Sequence, residues 1–529
     1  MNVIPPSFAF ILPEPTGHNN GVDFLGLRQT NLDMMADLIP GTNNVTAYIR
    51  PFSLLSWIFW KFHGLCVEGR IDEPTSESLR EFRERIEILF TWGARLDDYP
   101  NIPGRQADPP PTNKDGFVPL TFKDWKRVQD STSLIAALWY GPASKVVTGL
   151  GLLMPVPGRA GFFRTVGAGV RLADALDVRL RSDPERYERI LATLGAVIAN
   201  EDDARALWTL WRPDAISLAE QEAFRDVLHD INSVGDYQSL IGKRSATLAL
   251  AHLHLAQTGS SQLAQDIRRG MLLSQRPDGT VYDVPSDLRE AHDKWVMLQV
   301  RQLQRLALES MLSWCETKIL GGVRDTADLV SAFAQEWDES DYPFSAADRL
   351  SDTLAAVEAN FSVIDEFVAC CRDGTIPSPL AMIETIEEAF AAQDGKYAAH
   401  CFYGLLLCAS FAGSVDPQSP GLRLGGPARI PLYYLRKRLA GLGDASIRET
   451  ISYVLEAMVI SQHFATAVNR FDGQNQRLRL AIEEIGLVPL VGSRWQPTVT
   501  EDRLPMLLSL AADSGILGID GDGGYLSVA

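Results

Sequence analysis

Few residues in this chain have the type and spacing that catalysis requires. Asp278 in the segment RPDGTVYD and the Glu316-Thr317-Lys318 triplet supply the carboxylate and lysine groups that can hold a metal ion for phosphodiester cleavage. Such groups must project from adjacent strands, whereas the triplet lies inside a predicted long helix. The pattern therefore predicts dispersed carboxylates and no assembled metal site.

The other candidate chemical groups are equally unsuited to catalysis. Gly242-Lys243 lacks the correctly spaced glycine of a phosphate-binding loop, and Arg244 occupies the position of the required hydroxyl. His252 and His254 fall in an apolar helical segment, where residues two apart diverge by roughly 200° around the axis. The sequence therefore predicts no catalytic residue, no metal site and no cofactor, and favours a non-enzymatic role.

Net charge constrains the kind of partner. The chain of 529 residues carries a formal net charge of −18, and a uniformly acidic surface repels nucleic-acid phosphates. Residues 118–182 reverse this sign, because nine basic residues stand against four acidic residues, a balance of +5. Docking of this basic face on the acidic remainder of the protein is the alternative to DNA contact. The residues predicted to contact DNA are Lys123, Lys126, Arg127, Lys145, Arg159, Arg164 and Arg171.

The elements predicted for this basic region follow a defined order. A helix, a Gly-Pro break at 141–142 and a short second helix precede two apolar segments that flank the turn PGRAG. Short apolar segments on either side of a Pro/Gly turn predict a β-hairpin. A new helix is expected directly afterwards, with Thr165 placed to cap it and with Gly167 and Gly169 permitting close approach.

This order of elements resembles the winged helix-turn-helix family. The pattern GLL, turn, aromatic-x-Thr-x-x-Gly is similar to the wing of that family and the start of its next helix. The resemblance implies that the second helix lies in the major groove and the wing against the backbone or minor groove. Lys145 and Arg159 would then lie nearest to DNA. An incidental hairpin in a helical domain is the alternative.

The C-terminus shows a second pattern of this kind. After Glu501 the sequence predicts a helix, a strand GILGI, the turn DGDGG and a strand YLSV, and hence a second winged helix. Residues 474–529 contain four basic and seven acidic residues, a balance of −3 that gives little attraction for phosphate. This module is therefore expected to bind a protein partner or to pack internally.

The remaining sequence predicts a mainly α fold: a multi-helical body with two winged-helix modules and little β structure beyond the wing hairpins. SLREFRERIEILFTW predicts an amphipathic helix with charges on its outer face. The uncharged segment 397–415 predicts a buried helix and no membrane span. Six cysteines without a CxxC pair indicate reduced thiols and a cytoplasmic location.

The predicted divisions are an N-terminal helical region (1–95), a Pro/Asp-rich linker or loop (96–117), the first winged-helix module (118–182), a helical body (183–411), a Pro/Gly-rich linker (412–431) and C-terminal helices that end in the second winged helix (432–529).

Two segments carry a further resemblance. LIPGTNNVTAYIRPFSLLSWIFWKF (38–62) and AALWYGPASKVV resemble the N-terminal region of an uncharacterised bacterial family of restriction and phage-defence gene neighbourhoods. That family is mostly helical, with winged-helix modules and no assigned catalytic residues. The resemblance implies a DNA-associated adaptor, sensor or scaffold subunit of a bacterial defence assembly. The two-module layout is also similar to bridging subunits of SMC-type complexes. A metal-dependent nuclease and a winged-helix transcription regulator are the alternatives.

Overall fold

The computed structural model describes residues 23–70, 74–471, 477–492 and 494–528. Helices dominate and the strands form short antiparallel pairs, which confirms the predicted mainly α fold. The α-helices are α1 (Arg28–Leu38), α2 (Arg50–Val67), α3 (Ser76–Leu96), α4 (Gln129–Thr132), α5 (Tyr140–Ser144), α6 (Ala168–Leu180), α7 (Pro184–Arg186), α8 (Glu201–Trp211), α9 (Leu218–Leu228), α10 (Leu240–Thr258), α11 (Ala264–Leu273), α12 (Arg289–Leu320), α13 (Thr326–Asp338), α14 (Leu350–Glu358), α15 (Ile364–Asp373), α16 (Pro379–Ala392), α17 (Tyr397–Gly413), α18 (Pro420–Arg423), α19 (Leu432–Ala440), α20 (Ile447–Tyr453), α21 (Ser461–Asn469) and α22 (Leu504–Asp513). The strands are β1 (Val118–Pro119), β2 (Leu153–Pro155), β3 (Phe163–Thr165), β4 (Ile198–Ala199), β5 (Leu480–Glu483), β6 (Gly486–Pro489), β7 (Leu517–Ile519) and β8 (Tyr525–Ser527).

These elements divide into two compact units, each built from separate parts of the chain. Unit one combines the described residues up to Met34 with Asp293–Thr500, and unit two combines Met35–His292 with residues 501–528. The sequence predicts a linear series of segments instead. Local patterns of apolar and turn residues carry no information about which distant segments pack together, and they therefore give no sign of a discontinuous unit.

Unit two is centred on α2, which packs against α6, while α6 also packs against α9. α2 has Pro51 in its first turn and apolar residues on all sides, and it is buried along most of its length. Nε1 of Trp57 donates a hydrogen bond to Oδ1 of Asp177 at 2.9 Å. Arg50 forms an ion pair with Glu220 at 2.6 Å, with both side chains fully buried. These pairs lower the cost of burying polar groups in the core.

In unit one, α17 is almost entirely buried, which confirms the buried helix predicted for segment 397–415. Its Gly404 permits close packing, because a Cβ at this position would lie 3.1 Å from Cδ1 of Leu303 on α12. Within the described part of the chain, one helical stretch, Ile447–Asn469, is long and apolar enough to cross a bilayer. Half of its most apolar 18-residue window is buried inside the protein.

Helix α3 forms where the sequence predicts it, but its charged residues do not all face solvent. Arg83, Glu84, Arg85 and Glu87 are buried. The predicted outer charged face is wrong for these residues, because later segments of the chain cover them and supply polar partners to three of the four. One such group is the amide of Phe122, which donates a hydrogen bond to Oε2 of Glu84 at 2.8 Å.

The segment before the first hairpin departs furthest from the prediction. The sequence predicts a helix pair, whereas the structure has only α4 and α5, of four and five residues. The carboxylate of Glu87 accepts hydrogen bonds from the Ser133 hydroxyl and the Leu134 amide, both at 2.9 Å. That bond removes the Leu134 amide from any helical ladder, and Lys126 adds a break with φ of 51°. Because α5 is mostly buried, its predicted position in a DNA groove is wrong.

Both predicted hairpins are confirmed: β2 pairs with β3, and β7 pairs with β8. α6 also begins where expected, and a Cβ at Gly169 would lie 2.6 Å from the carbonyl oxygen of Leu152, so glycine is needed there. The predicted helix cap is wrong. Gly167 occupies the N-cap position, and the hydroxyl of Thr165 instead donates a hydrogen bond to the carbonyl of Ser56 at 2.9 Å.

A third hairpin, formed by β5 and β6, lies in unit one. It is not among the hairpins predicted from the sequence. The amide of Leu487 on β6 donates a hydrogen bond to the carbonyl of Arg324 at 2.8 Å, which adds a third chain segment beside the pair. Gly486 opens β6 with φ of 103°. The alternation of Leu480 and Ile482 before this glycine is the sequence signal for the hairpin.

Candidate nucleic-acid interface

The basic hairpin, residues 153–165, consists of β2, β3 and the loop between them. In the strand register Met154 lies opposite Arg164, and both side chains are exposed. The loop contains Gly158 and Gly161 with φ of 73° and 81°, a conformation that glycine adopts without steric cost. Because side chains alternate across a strand, Met154 and Arg164 mark the outer face of the basic hairpin.

Aromatic rings join the basic hairpin to α2. The ring of Phe163 meets that of Phe59 edge-on, with centroids 5.2 Å apart. The ring of Phe162 lies 6.5 Å from that of Phe62 in a similar arrangement. Edge-to-face pairs at these distances are favourable, and they hold the base of the hairpin on the core of unit two.

Three basic side chains lie on or beside the basic hairpin. Arg164 is exposed on the outer face. The guanidinium of Arg159 lies 5.5 Å from the ring centre of Phe162, and Nζ of Lys145 lies 5.6 Å from that of Phe163. A cation over an aromatic face is held by the ring quadrupole without neutralisation of its charge. These cations therefore remain available to an external anion.

Two further predicted residues are exposed, and one is paired. Lys123 and Lys126 lie at the surface in the turn before α4. Arg171 is also exposed, but it forms an ion pair with Asp226 at 2.7 Å. Exposed pairs of this kind contribute little to stability, yet the carboxylate offsets the positive charge that Arg171 presents to a ligand.

The prediction that Arg127 contacts DNA is wrong. Its side chain is only 1% exposed, and its Nη2 lies 4.0 Å from the carboxylate of Glu87. Its Nη1 donates a hydrogen bond to Oγ1 of Thr91 at 2.9 Å, and its guanidinium lies 4.3 Å from the ring centre of Phe122. Burial lowers the pKa of Arg127. Arg127 is a buried structural cation and cannot contact DNA.

The positive charge of region 118–182 thus rests on fewer residues than the sequence suggests. Arg181 pairs with Asp177 at 2.6 Å, and Nη1 of Arg179 donates a hydrogen bond to the carbonyl of Ala215 at 2.6 Å. In the described part of the chain, the basic side chains of this region with neither an ion pair nor a hydrogen bond are Lys123, Lys126, Lys145, Arg159 and Arg164.

The C-terminal hairpin has a different character. Its turn carries Asp520 and Asp522, in agreement with the acidic balance of the sequence. Gln262 and Tyr525 exchange two backbone hydrogen bonds, of 2.9 and 2.8 Å, so Gln262 extends the hairpin to a third strand position. The preceding helix α22 has no exposed residue. This helix therefore packs within unit two. Internal packing was one of the two expectations for this module, and binding to a protein partner was the other.

A half-buried carboxylate ends α22. Asp513 accepts a hydrogen bond from the amide of Ile49 at 3.3 Å. Burial, together with a smaller effect of the nearby carboxylate of Asp214, raises the pKa of Asp513 to about 7, although the hydrogen bond from Ile49 acts in the opposite direction. No basic residue pairs with Asp513 within the described residues, so its charge is uncompensated when it ionises.

The candidate nuclease carboxylates have other structural roles. Glu316 is fully buried, and Nη2 of Arg479 donates a hydrogen bond to its Oε2 at 3.0 Å. Asp278 is exposed in a turn and accepts a hydrogen bond from the amide of Thr280 at 2.8 Å. Neither arrangement leaves a carboxylate placed to hold a metal ion beside a scissile phosphate.

The two helical histidines also have separate partners. Nδ1 of His254 lies 3.1 Å from the hydroxyl of Tyr282, and burial lowers the pKa of His254. Nε2 of His252 lies 3.1 Å from the hydroxyl of Ser527. Both lie on α10, and their rings diverge as the helical spacing predicts.

Comparisons with protein-family models, with curated proteins and with solved structures give no match to this chain.

Proposed function

We propose that this protein binds DNA through the basic hairpin and acts as a non-enzymatic adaptor, sensor or scaffold subunit of a bacterial DNA-defence assembly. The observation that carries the proposal is the set of five basic side chains of region 118–182 that form neither an ion pair nor a hydrogen bond among the described residues. In a chain with net charge −18, free cations concentrated in one region supply the local attraction that phosphate requires.

The shape of the basic hairpin supports contact by a β-ribbon. A two-stranded ribbon fits the major groove of B-DNA, and the loop places Arg159 at the exposed end of such a ribbon. Arg164 and Lys145 lie along its length. We therefore propose backbone contact by the hairpin itself, in place of a recognition helix, and binding with little dependence on base sequence.

We further propose that unit two contains a winged helix whose parts are separated in sequence. The supporting order is α10, the strand position at Gln262, α11, α22, β7 and β8, with Gln262 paired to β8 and α11 packed on α22. The order α12, Arg324, α13, α21, β5 and β6 in unit one follows the same scheme. In both cases a long stretch of chain is inserted before the last helix.

The C-terminal hairpin is proposed to bind a protein partner. Ile519 and Val528 are exposed apolar residues on it, 58% and 48% accessible, and Asp522 lies in its turn. An acidic turn beside apolar side chains suits a basic protein surface and disfavours DNA. Replacing Ile519 and Val528 by glutamate should abolish co-purification with a subunit encoded beside this protein, and retention of that subunit would contradict the proposal.

The DNA proposal is tested by fluorescence anisotropy with a labelled duplex. The variant K145E/R159E/R164E should bind at least tenfold more weakly than the wild type. The matched control is R423E/K437E/R438E in unit one, which alters the net charge by the same amount at exposed residues. Equal affinities of the two variants would contradict the proposal, because they would show that only the total charge matters.

A further inference from the structure

A pocket of about 210 Å³ lies between the start of α3 and the tip of the basic hairpin. The first turns of α3 contribute Arg80 and Arg83, the hairpin contributes residues 160–162, and Gln129 also lines the pocket. All of these residues belong to unit two. The pocket therefore adjoins the surface proposed to bind DNA without being part of the outer face of the hairpin.

The pocket contains an incompletely satisfied buried cation. The Arg83 side chain is only 6% exposed, and its Nε lies 3.3 Å from Oε1 of Glu87. Among the residues that the structure describes, neither Nε nor Nη2 of Arg83 has a hydrogen-bond partner. Leaving a buried charged donor unpaired costs free energy, so a ligand that accepts hydrogen bonds from this guanidinium is favoured.

Glu87 cannot neutralise its surroundings alone. Its two oxygens already accept hydrogen bonds from Ser133 and Leu134, and its carboxylate is shared by Arg83 and Arg127. Two buried guanidinium groups thus share Glu87, and the buried carboxylate of Glu84 supplies a second negative charge near Arg127. On the side that lines the pocket, Arg83 has only this shared carboxylate of Glu87 as its ion-pair partner among the described residues.

Other groups around the pocket favour an anion. The backbone amides of Ala160 and Gly161 have no hydrogen-bond partner among the described residues. Consecutive amides in a glycine turn form a concave anion site, and the N-terminus of a long helix such as α3 adds a favourable dipole. Glu77 also lines the pocket, but it is paired with Arg80. The lining therefore keeps a net positive charge through Arg83.

We propose that this pocket binds one phosphate group, with Arg83 at its floor and the amides of the hairpin tip at its rim. The inference extends the proposed DNA contact, because a phosphate held here anchors a nucleic-acid strand beside Arg159 and Arg164. The same chemistry accepts free inorganic phosphate. A phosphate on a strand end, a phosphodiester in the backbone and the free ion are the sources that an experiment must distinguish.

Two variants test the pocket independently of the outer cations. A160E places a carboxylate at the exposed rim and leaves the buried ion pairs intact, whereas R83M removes the guanidinium and keeps an apolar side chain of similar length. L218E, at an exposed residue of α9 that does not line the pocket, is the matched control. Each protein is titrated by calorimetry with inorganic phosphate, then with 5′-phosphorylated and 5′-hydroxyl duplexes.

We expect the wild type and L218E to bind inorganic phosphate, and A160E to bind it at least tenfold more weakly. If R83M folds, it should bind inorganic phosphate as weakly as A160E does. If R83M does not fold, the A160E measurement alone decides the result. A preference for the 5′-phosphorylated duplex identifies strand ends, and equal binding of the duplexes identifies the backbone. Absence of phosphate binding by the wild type, or unchanged binding by A160E, would overturn the pocket proposal. Neither outcome affects the K145E/R159E/R164E test, so the two proposals fail separately.

Discussion

The buried carboxylate of Glu87 accepts a hydrogen bond from the hydroxyl of Ser133, 46 residues further along the chain, at 2.9 Å. Together with the bond to the Leu134 amide, this contact holds the segment before the basic hairpin in a non-helical conformation. It also explains why Arg127 lies inside the protein, since the same carboxylate faces its guanidinium. One acidic residue of α3 thus organises the chain that supports the candidate interface.

Replacing Glu87 by alanine should destabilise the protein strongly. The variant leaves Arg83 and Arg127 buried without their carboxylate, and breaking a buried ion pair costs about 3–5 kcal/mol. Urea denaturation gives the apparent free energy of unfolding. E81A is the control on the same helix, because Glu81 is exposed and should change stability by less than about 0.5 kcal/mol. Equal stabilities of E87A and E81A would refute this role of Glu87.

Two glycines should respond to alanine in opposite directions. G169A introduces a Cβ 2.6 Å from the carbonyl oxygen of Leu152 and should lower stability by about 1–3 kcal/mol through overpacking. G64A lies in α2, where no heavy atom of the described residues lies within 4 Å of the new Cβ, and should raise stability by about 0.5–1 kcal/mol. Thermal unfolding measures both. A neutral G169A would show that the hairpin does not pack tightly on the start of α6.

Asp513 should make stability fall as the pH rises. Its folded-state pKa of about 7 exceeds the ordinary value of about 4, so the folded protein holds this proton more tightly than the unfolded chain. The stabilisation from the neutral acid is therefore lost progressively between about pH 4 and pH 7 and is absent above that window.

The variant D513N isolates this effect. Its amide cannot ionise, so the difference in unfolding free energy between D513N and the wild type should grow across the same pH window, to an upper limit of about 4 kcal/mol. D522N, at an exposed aspartate of the C-terminal turn, should show a constant difference. A constant difference for D513N as well would mean that Asp513 is ionised in the folded protein.

The nuclease alternative makes a contrasting prediction for Glu316 and Asp278. E316A leaves Arg479 without its buried partner and should lower stability by about 3–5 kcal/mol, whereas D278A should have an effect below about 0.5 kcal/mol. A plasmid-cleavage assay with magnesium or manganese accompanies the stability measurements. Metal-dependent cleavage that either substitution abolishes would support a nuclease and contradict the structural roles assigned here.

Features specified by local sequence were predicted correctly. The turn PGRAG between apolar segments predicts the basic hairpin, and DGDGG predicts the C-terminal hairpin. The uncharged segment 397–415 predicts a buried helix, and the structure confirms all three. In each case neighbouring residues supply both the conformational preference and the burial pattern. The hairpin β5–β6 was missed although its alternation was present, because its turn lacks the Pro/Gly or Asp/Gly cluster of the other two.

Features specified by distant contacts were not predictable from local patterns. Nothing near Leu134 indicates that its amide bonds to Glu87, and nothing near Arg127 distinguishes it from the exposed Lys126. Burial of four charged residues on α3 likewise depends on segments that follow it in the chain. The candidate interface therefore retains most of its predicted cations, while the pocket at Arg83 becomes visible only in three dimensions.

The salt dependence of DNA affinity tests the central claim most directly. Each phosphate contact contributes about −0.9 to the slope of log K against log salt concentration. The loss of three contacts should therefore make this negative slope shallower, by about 2.7. We predict that K145E/R159E/R164E shows this reduction and that R423E/K437E/R438E keeps the wild-type slope. A slope that is the same for the wild type and the hairpin variant would contradict DNA contact through the basic hairpin.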